Sequence, residues 1–151
     1  LVITQQNGNK KISPEIIEKN IGISKDYNVF ELQDALIRKD VVRANRIINY
    51  FAENKKAAPI QMALSVLFGF FSNLMIFHYL PSKTAESAAS EFKIHPFIAR
   101  NYVQAAKTFS ALKTMHIITY IRETDARSKG IDNQSADDGD LLKELVFKIL
   151  H

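Results

Sequence analysis

A chain of 151 residues is long enough for one domain with a sizeable core and a small appendage. It contains no cysteine, which excludes disulfides, thiolate catalysis and cysteine-based zinc sites. The net charge of +4 comes from lysines and arginines scattered along the chain, which alone says little about nucleic acid.

Leu1 to Thr4 is a short apolar run that reads as a strand or an extended lead-in. Leu1 is not an initiator Met and no signal peptide is visible, so the sequence is expected to be a piece of a longer, cytoplasmic protein. Gln5 to Lys11 is polar, contains Asn7-Gly8, and reads as a loop. Ser13-Pro14-Glu15 has the form of a helix start, with Ile16, Ile17 and Ile21 inward and Gly22 as the stop. Asn28 followed by Glu31 is close to a capping box, and it opens a helix with Val29, Leu32 and Leu36 on one side. Asp40 caps the next helix. There Ala44, Ile47, Ile48 and Phe51 fall at i, i+3, i+4 and i+7. Arg43 and Arg46 lie off that stripe.

Pro59 to Leu80 is the dominant feature. No Asp, Glu, Lys or Arg occurs between Lys56 and Lys83. Pro59 suits a first helical position, and Pro81 marks the other end. A helix this apolar is buried in protein or in lipid. Gln61, Ser65, Gly69 and Ser72 form one narrow stripe of small or weakly polar residues along it. The stripe, and flanks without aromatic belts, favour the core of a helical bundle over a membrane span. Close approach of a neighbouring helix at Gly69 would make a bulky side chain there destabilising by overpacking.

Thr84 is expected to cap a short helix, Ala85 to Phe92, and Pro96 to start another through Tyr102 and Ala106. A longer helix follows from about Phe109 to Ser128, with Ala111, Met115 and Ile118 inward and Ile117 and Ile121 beside them. Lys129-Gly130 ends it. Asp138 or Asp140 opens the last helix, lined by Leu142, Leu145, Val146 and Ile149. Nothing after Thr4 alternates with period two, so the fold class is all-α.

Motifs for chemistry are missing. The four histidines lack metal-ligand spacing, and no phosphate cradle or nucleophile elbow occurs. Catalytic, cofactor and metal residues are therefore all expected to be none. Asp125 continues the face of Ile118 and Ile121, with Lys129 one turn on. That pair is either an ordinary helix pair or one that fixes the last helix or a neighbouring subunit. The segment Thr84 to Lys107 has the outline of a helix-turn-helix. However, its turn holds Phe92 or Lys93 where glycine is usual, and its second helix begins His95-Pro96-Phe97-Ile98, apolar where base-reading groups belong. Arg38, Lys39, Arg43, Arg46, Lys55 and Lys56 read as a solvated face.

Four blocks in order resemble the C-terminal part of the bacterial DNA polymerase III delta subunit, a clamp-loader subunit. They are Asn28-Val29-Phe30-Glu31-Leu32-Gln33-Asp34-Ala35-Leu36 with Lys39-Asp40 and Ala44; Ala58-Pro59-Ile60; Ala88-Ala89 through Lys93-Ile94-His95-Pro96-Phe97 with Ala105-Ala106-Lys107; and Asp125 with Lys129-Gly130 before a leucine-rich helix. The resemblance implies that residues 1–38 are a remnant of the small helical AAA+ lid. Residues 39–151 would then be the helical collar through which clamp-loader subunits assemble. It implies no intrinsic catalysis, no cofactor and no membrane. The partners it implies are other clamp-loader subunits. The sliding clamp and primer-template DNA would be reached only through a region absent here or through the whole complex. Ser72-Asn73 stands where basic character is expected of the family. Gly69, Arg43, Arg46, Asp125 and Lys129 are the candidate structural or interface residues. Two rival readings are a helix-turn-helix DNA-binding protein and a membrane-associated helical protein.

Overall fold

The computed structural model describes residues 26–133 and 135–151. The strand or lead-in at Leu1–Thr4, the loop after it and the helix expected from Ser13 to Gly22 lie outside these residues. Among the described residues there are seven α-helices and no strand. They are α1 (Val29–Ile37), α2 (Val41–Glu53), α3 (Ile60–His78), α4 (Ala85–Phe92), α5 (Pro96–Thr108), α6 (Ala111–Ser128) and α7 (Asp138–Leu150).

Most boundaries follow from caps that satisfy the first free N–H groups. Asn28, Asp40, Thr84 and Ser110 each accept a hydrogen bond from the backbone N–H three residues on. Ser110 therefore sets the start of α6 at Ala111 rather than Phe109. Asp137 caps α7, and Asp140 reaches back to its N–H, completing a capping box. Both residues expected to open that helix thus lie inside its first turn. Pro59 is the residue before α3 rather than its first, and no side chain caps that end. Three helices end on left-handed residues: Lys39, Lys93 and Gly130, with φ of 55°, 54° and 92°. At each, the next N–H bonds to the carbonyl five residues back.

The bundle is nested. Helix α3 packs antiparallel on α6, since Gln61 Nε2 donates to Ser128 Oγ (2.8 Å) at one end and His78 Nε2 meets Phe109 O (2.9 Å) at the other. Helix α2 packs antiparallel on α7, with Ala52 against Gly139. Helices α4 and α5 form a pair on the side of α3, and α1 touches α2, α3, α5 and α7. The expected stripe Ala44, Ile47, Ile48 and Phe51 is buried, as are Leu142, Leu145, Val146 and Ile149. Around α3 the core is aromatic: Phe70 stacks on Tyr102 (4.9 Å) and Phe71 meets Phe109 edge-on (5.4 Å). Asn73 Nδ2 donates to the Tyr102 hydroxyl at 3.2 Å. This gives Asn73, in place of a basic residue, a structural partner. Burial pushes the Tyr102 phenol above its ordinary range, although the Asn73 hydrogen bond works the other way.

Helix α6 departs from expectation. Met115 is exposed, Ala111 and Ile118 are half-buried, and the buried face is Thr114, Ile117, Ile121 and Thr124. The two threonines are buried because each hydroxyl donates to the carbonyl four residues back, Ser110 O and Tyr120 O, both at 2.8 Å. Their methyl groups then pack as apolar surface.

Candidate functional site

Helix α3 is long and apolar enough to cross a membrane, yet it lies against α1, α5 and α6. Ala63, Leu64, Leu67, Phe70, Phe71, Leu74 and Phe77 turn inward. The opposite side is open. It carries Gln61, Ser65 and Gly69, all exposed, and the half-buried Ser72, with Met62, Phe68 and Ile76 between them. The small-residue stripe therefore faces outward. A Cβ built on Gly69 meets no atom within 4 Å, so the expected overpacking is overturned. Among the described residues no helix approaches closely there.

Two grooves flank the stripe, and Ser65 lines both. One, of about 280 Å³, runs between α3 and α6 past Leu64, Phe68, Ile121, Arg122 and Asp125. The other, of about 480 Å³, lies between α1, α3 and α5, walled by Phe30, Val66, Gly69, Phe70 and Ile98. Phe30 and Ile98 are exposed. Gly69 and Asp125, far apart in sequence, thus share one face. No local pattern in the sequence marks Phe30, Phe68 and Ile98 as surface residues. Only the packing of α1, α5 and α6 around α3 shows which side of each helix stays open.

The remaining candidates fall elsewhere. Asp125 accepts from Lys129 Nζ at 3.1 Å on the surface, an ordinary i,i+4 pair. The ion pair that joins α6 to α7 is instead Arg127–Glu144. Arg43 is not a free base: its Nη1 donates to Asp34 Oδ2 at 2.6 Å, and Arg38 Nε donates to Asp34 Oδ1 at 3.0 Å. The Arg43 bond joins α1 to α2, and the Arg38 bond closes the end of α1. Partial burial pulls the Asp34 carboxyl upward, but the two arginines outweigh it and hold it below the usual carboxylate range. Arg46 is exposed, unpaired among the described residues, and lines neither groove. Lys55 lies 4.0 Å from Asp137. The basic face is thus partly neutralised. Among the described residues, no group of three His, Cys, Asp or Glu side chains is placed to hold a metal.

Helices α4 and α5 do form a pair across a tight turn at Lys93. The second helix presents Phe97 (70% exposed) and Ile98 at its start, which is the wrong chemistry for reading base edges in a groove.

The fold is an all-α bundle whose longest helix keeps one apolar face open. The family model for the DNA polymerase III delta subunit, C-terminal domain, matches residues 26–147. The chain belongs to that family, as its resemblance implied, and is accordingly a part of the DNA replication machinery. Comparison with curated proteins and with solved structures gave no match.

Proposed function

We propose that this chain is the assembly collar of a delta-like clamp-loader subunit, and that the open face of α3 is where a partner subunit docks. The observation that carries this reading is α3 itself. Its mean hydropathy reaches 1.8, yet only 44% of that stretch is buried within the chain. An apolar helix left half-covered, with grooves on both sides, suits ridge-into-groove packing by a further helix. Close approach over Gly69 needs no rearrangement.

The division at Arg38–Lys39 belongs to the same reading. Helix α1 would close the AAA+ lid, and its core contacts with α2, α3 and α5 would seat that lid on the collar. The chain would have no catalysis and no cofactor of its own and would act in the cytoplasm. Contact with the sliding clamp and primer-template DNA would fall to other parts of the complex.

The test is co-purification and light scattering with AAA+ clamp-loader subunits. Association should bury a standard-sized or larger interface. Phe68→Glu should abolish it while leaving the helical signal unchanged. No association at micromolar concentration would sink the proposal. A chain that needs detergent to stay in solution would favour the membrane alternative.

A further inference from the structure

The open face of α3 carries a second regularity, in its large side chains as well as its small ones. Met62, Ser65, Gly69, Ser72, Ile76 and Tyr79 follow one another at alternating steps of three and four residues. That is the heptad spacing by which one helix holds a seam toward another. Ser72 is half-buried and the other five are exposed. Met62 and Ile76 are 45% and 47% exposed, although the helix turns most of its large side chains inward. Tyr79, the residue after the helix, stays on the line because its N–H still bonds to Ile76 O at 3.0 Å.

Run antiparallel against itself, this seam matches by size. Met62 falls opposite Tyr79 of a second copy, Ser65 opposite Ile76, and Gly69 opposite Ser72, and a two-fold axis repeats each pair. The small pairs lie at the centre and the large ones at the ends. Two helices that cross at a shallow angle are closest at the crossing and separate toward their ends, so this order of sizes fits them. Gly69 is the middle residue of Ile60–His78, so such a crossing uses the whole helix. A Cβ there would meet nothing within 4 Å, and the flanking grooves, about 280 and 480 Å³, leave room for the side chains beside the opposing seam. Charge favours a second copy as the occupant. A two-fold axis sets each charge near it against its own like. Helix α3 carries no Asp, Glu, Lys or Arg, so nothing on it repels its copy, and no flanking charge restricts the seam to a different helix.

We propose that the open face of α3 pairs with the same face of a second copy of this chain, antiparallel, across a two-fold axis between Gly69 and Ser72. The contact is isologous, so it closes as a dimer and does not propagate. The inference rests on the assembly reading in one respect, because the face is the one assigned there to a partner subunit. Self-pairing and assembly therefore exclude each other: the free chain is a dimer, and an incoming partner displaces the second copy.

The test is sedimentation of the full chain alone, which should pass from monomer to dimer in the micromolar range. Ile76→Glu should weaken the dimer roughly tenfold or more, since each copy then buries an unpaired carboxylate. Circular dichroism confirms that this exposed-site variant is folded. The chain has no cysteine, so introduced ones report the register without background. Met62→Cys and Tyr79→Cys chains, mixed under mild oxidation, should cross-link to each other. Neither should cross-link to itself, because like positions lie about 25 Å apart along the antiparallel pair. A chain that stays monomeric at the highest concentration overturns the proposal; if it still binds AAA+ clamp-loader subunits, the assembly reading stands without it. A dimer formed as described by a chain that binds no such subunit supports the pairing and sinks the assembly reading. A dimer indifferent to Ile76→Glu overturns the proposal in favour of another face. Self-linking of Met62→Cys overturns it in favour of a parallel pair.

Discussion

Replacing Gly69 tests the orientation of the central helix directly. Glycine within a helix costs roughly 0.5–1 kcal/mol relative to alanine, because it loses more backbone freedom on folding. That gain is realised in a variant only where the new methyl group meets nothing. A Cβ at Gly69 has no heavy atom within 4 Å, and its φ needs no glycine. Gly69→Ala should therefore stabilise the isolated chain by close to the full difference. For a chain of this size, about 1 kcal/mol raises Tm by roughly 2–4 °C. Gly69→Leu should fold equally well, since the longer side chain reaches into an open groove. The same leucine should block docking of a partner over the stripe. Thermal melts by circular dichroism, run beside co-purification, separate the two effects. A Tm that falls for Gly69→Ala would refute the outward placement of the stripe.

Gly139 should respond with the opposite sign. A Cβ there would sit 3.0 Å from Ala52 Cβ and 3.4 Å from Ala52 Cα, so Gly139→Ala should destabilise by about 1–3 kcal/mol in urea melts. Lys93 holds a left-handed conformation that glycine adopts without strain, so Lys93→Gly should add up to about 1 kcal/mol by the same assay. Because the Asp34 carboxyl is depressed, its contribution is present above the unfolded carboxylate pKa and is lost as pH falls through the lower folded value. Asp34→Asn should therefore flatten the acid limb of the stability profile below about pH 4 and change little of its slope at neutral pH. An unchanged acid limb would show that the two arginines do not hold that carboxylate.

Where local chemistry decides, the residues gave the structure away. Asp40 and Thr84 cap the helices they were expected to cap, and Lys129-Gly130 stops α6. The stripe from Ala44 to Phe51 is buried because nothing polar interrupts it. In α6 the inward face was misplaced because threonine counts as polar in a periodicity reading. Thr114, Ile117, Ile121 and Thr124 would have emerged had the β-branched methyls been counted as apolar. The outward stripe on α3 carried a real signal with two meanings, since small residues suit either a close neighbour or an open face. Only the positions of α1, α5 and α6 choose between them. The contact of Gly139 with Ala52 joins residues far apart in sequence, and no local pattern announces it. Of the two readings open for Asp125 and Lys129, the structure shows the ordinary i,i+4 pair, and α6 meets α7 through Arg127 and Glu144 instead.

The nesting of α3 and α6 inside α2 and α7 bears on how the chain acquires its structure during synthesis. Helix α2 packs on both α1 and α7, so the part of its apolar cover that α7 supplies is made only after Asp138. Each helical pair closes a longer loop than the pair inside it, so ordering should proceed from the α3–α6 hairpin outward. Until α7 is complete, the nascent chain presents an uncovered apolar flank, which is the state most exposed to aggregation and to chaperone capture. A ribosome stalled before Asp138 should hold a chain that proteases cut readily within α2, and a short extension of synthesis should make it resistant.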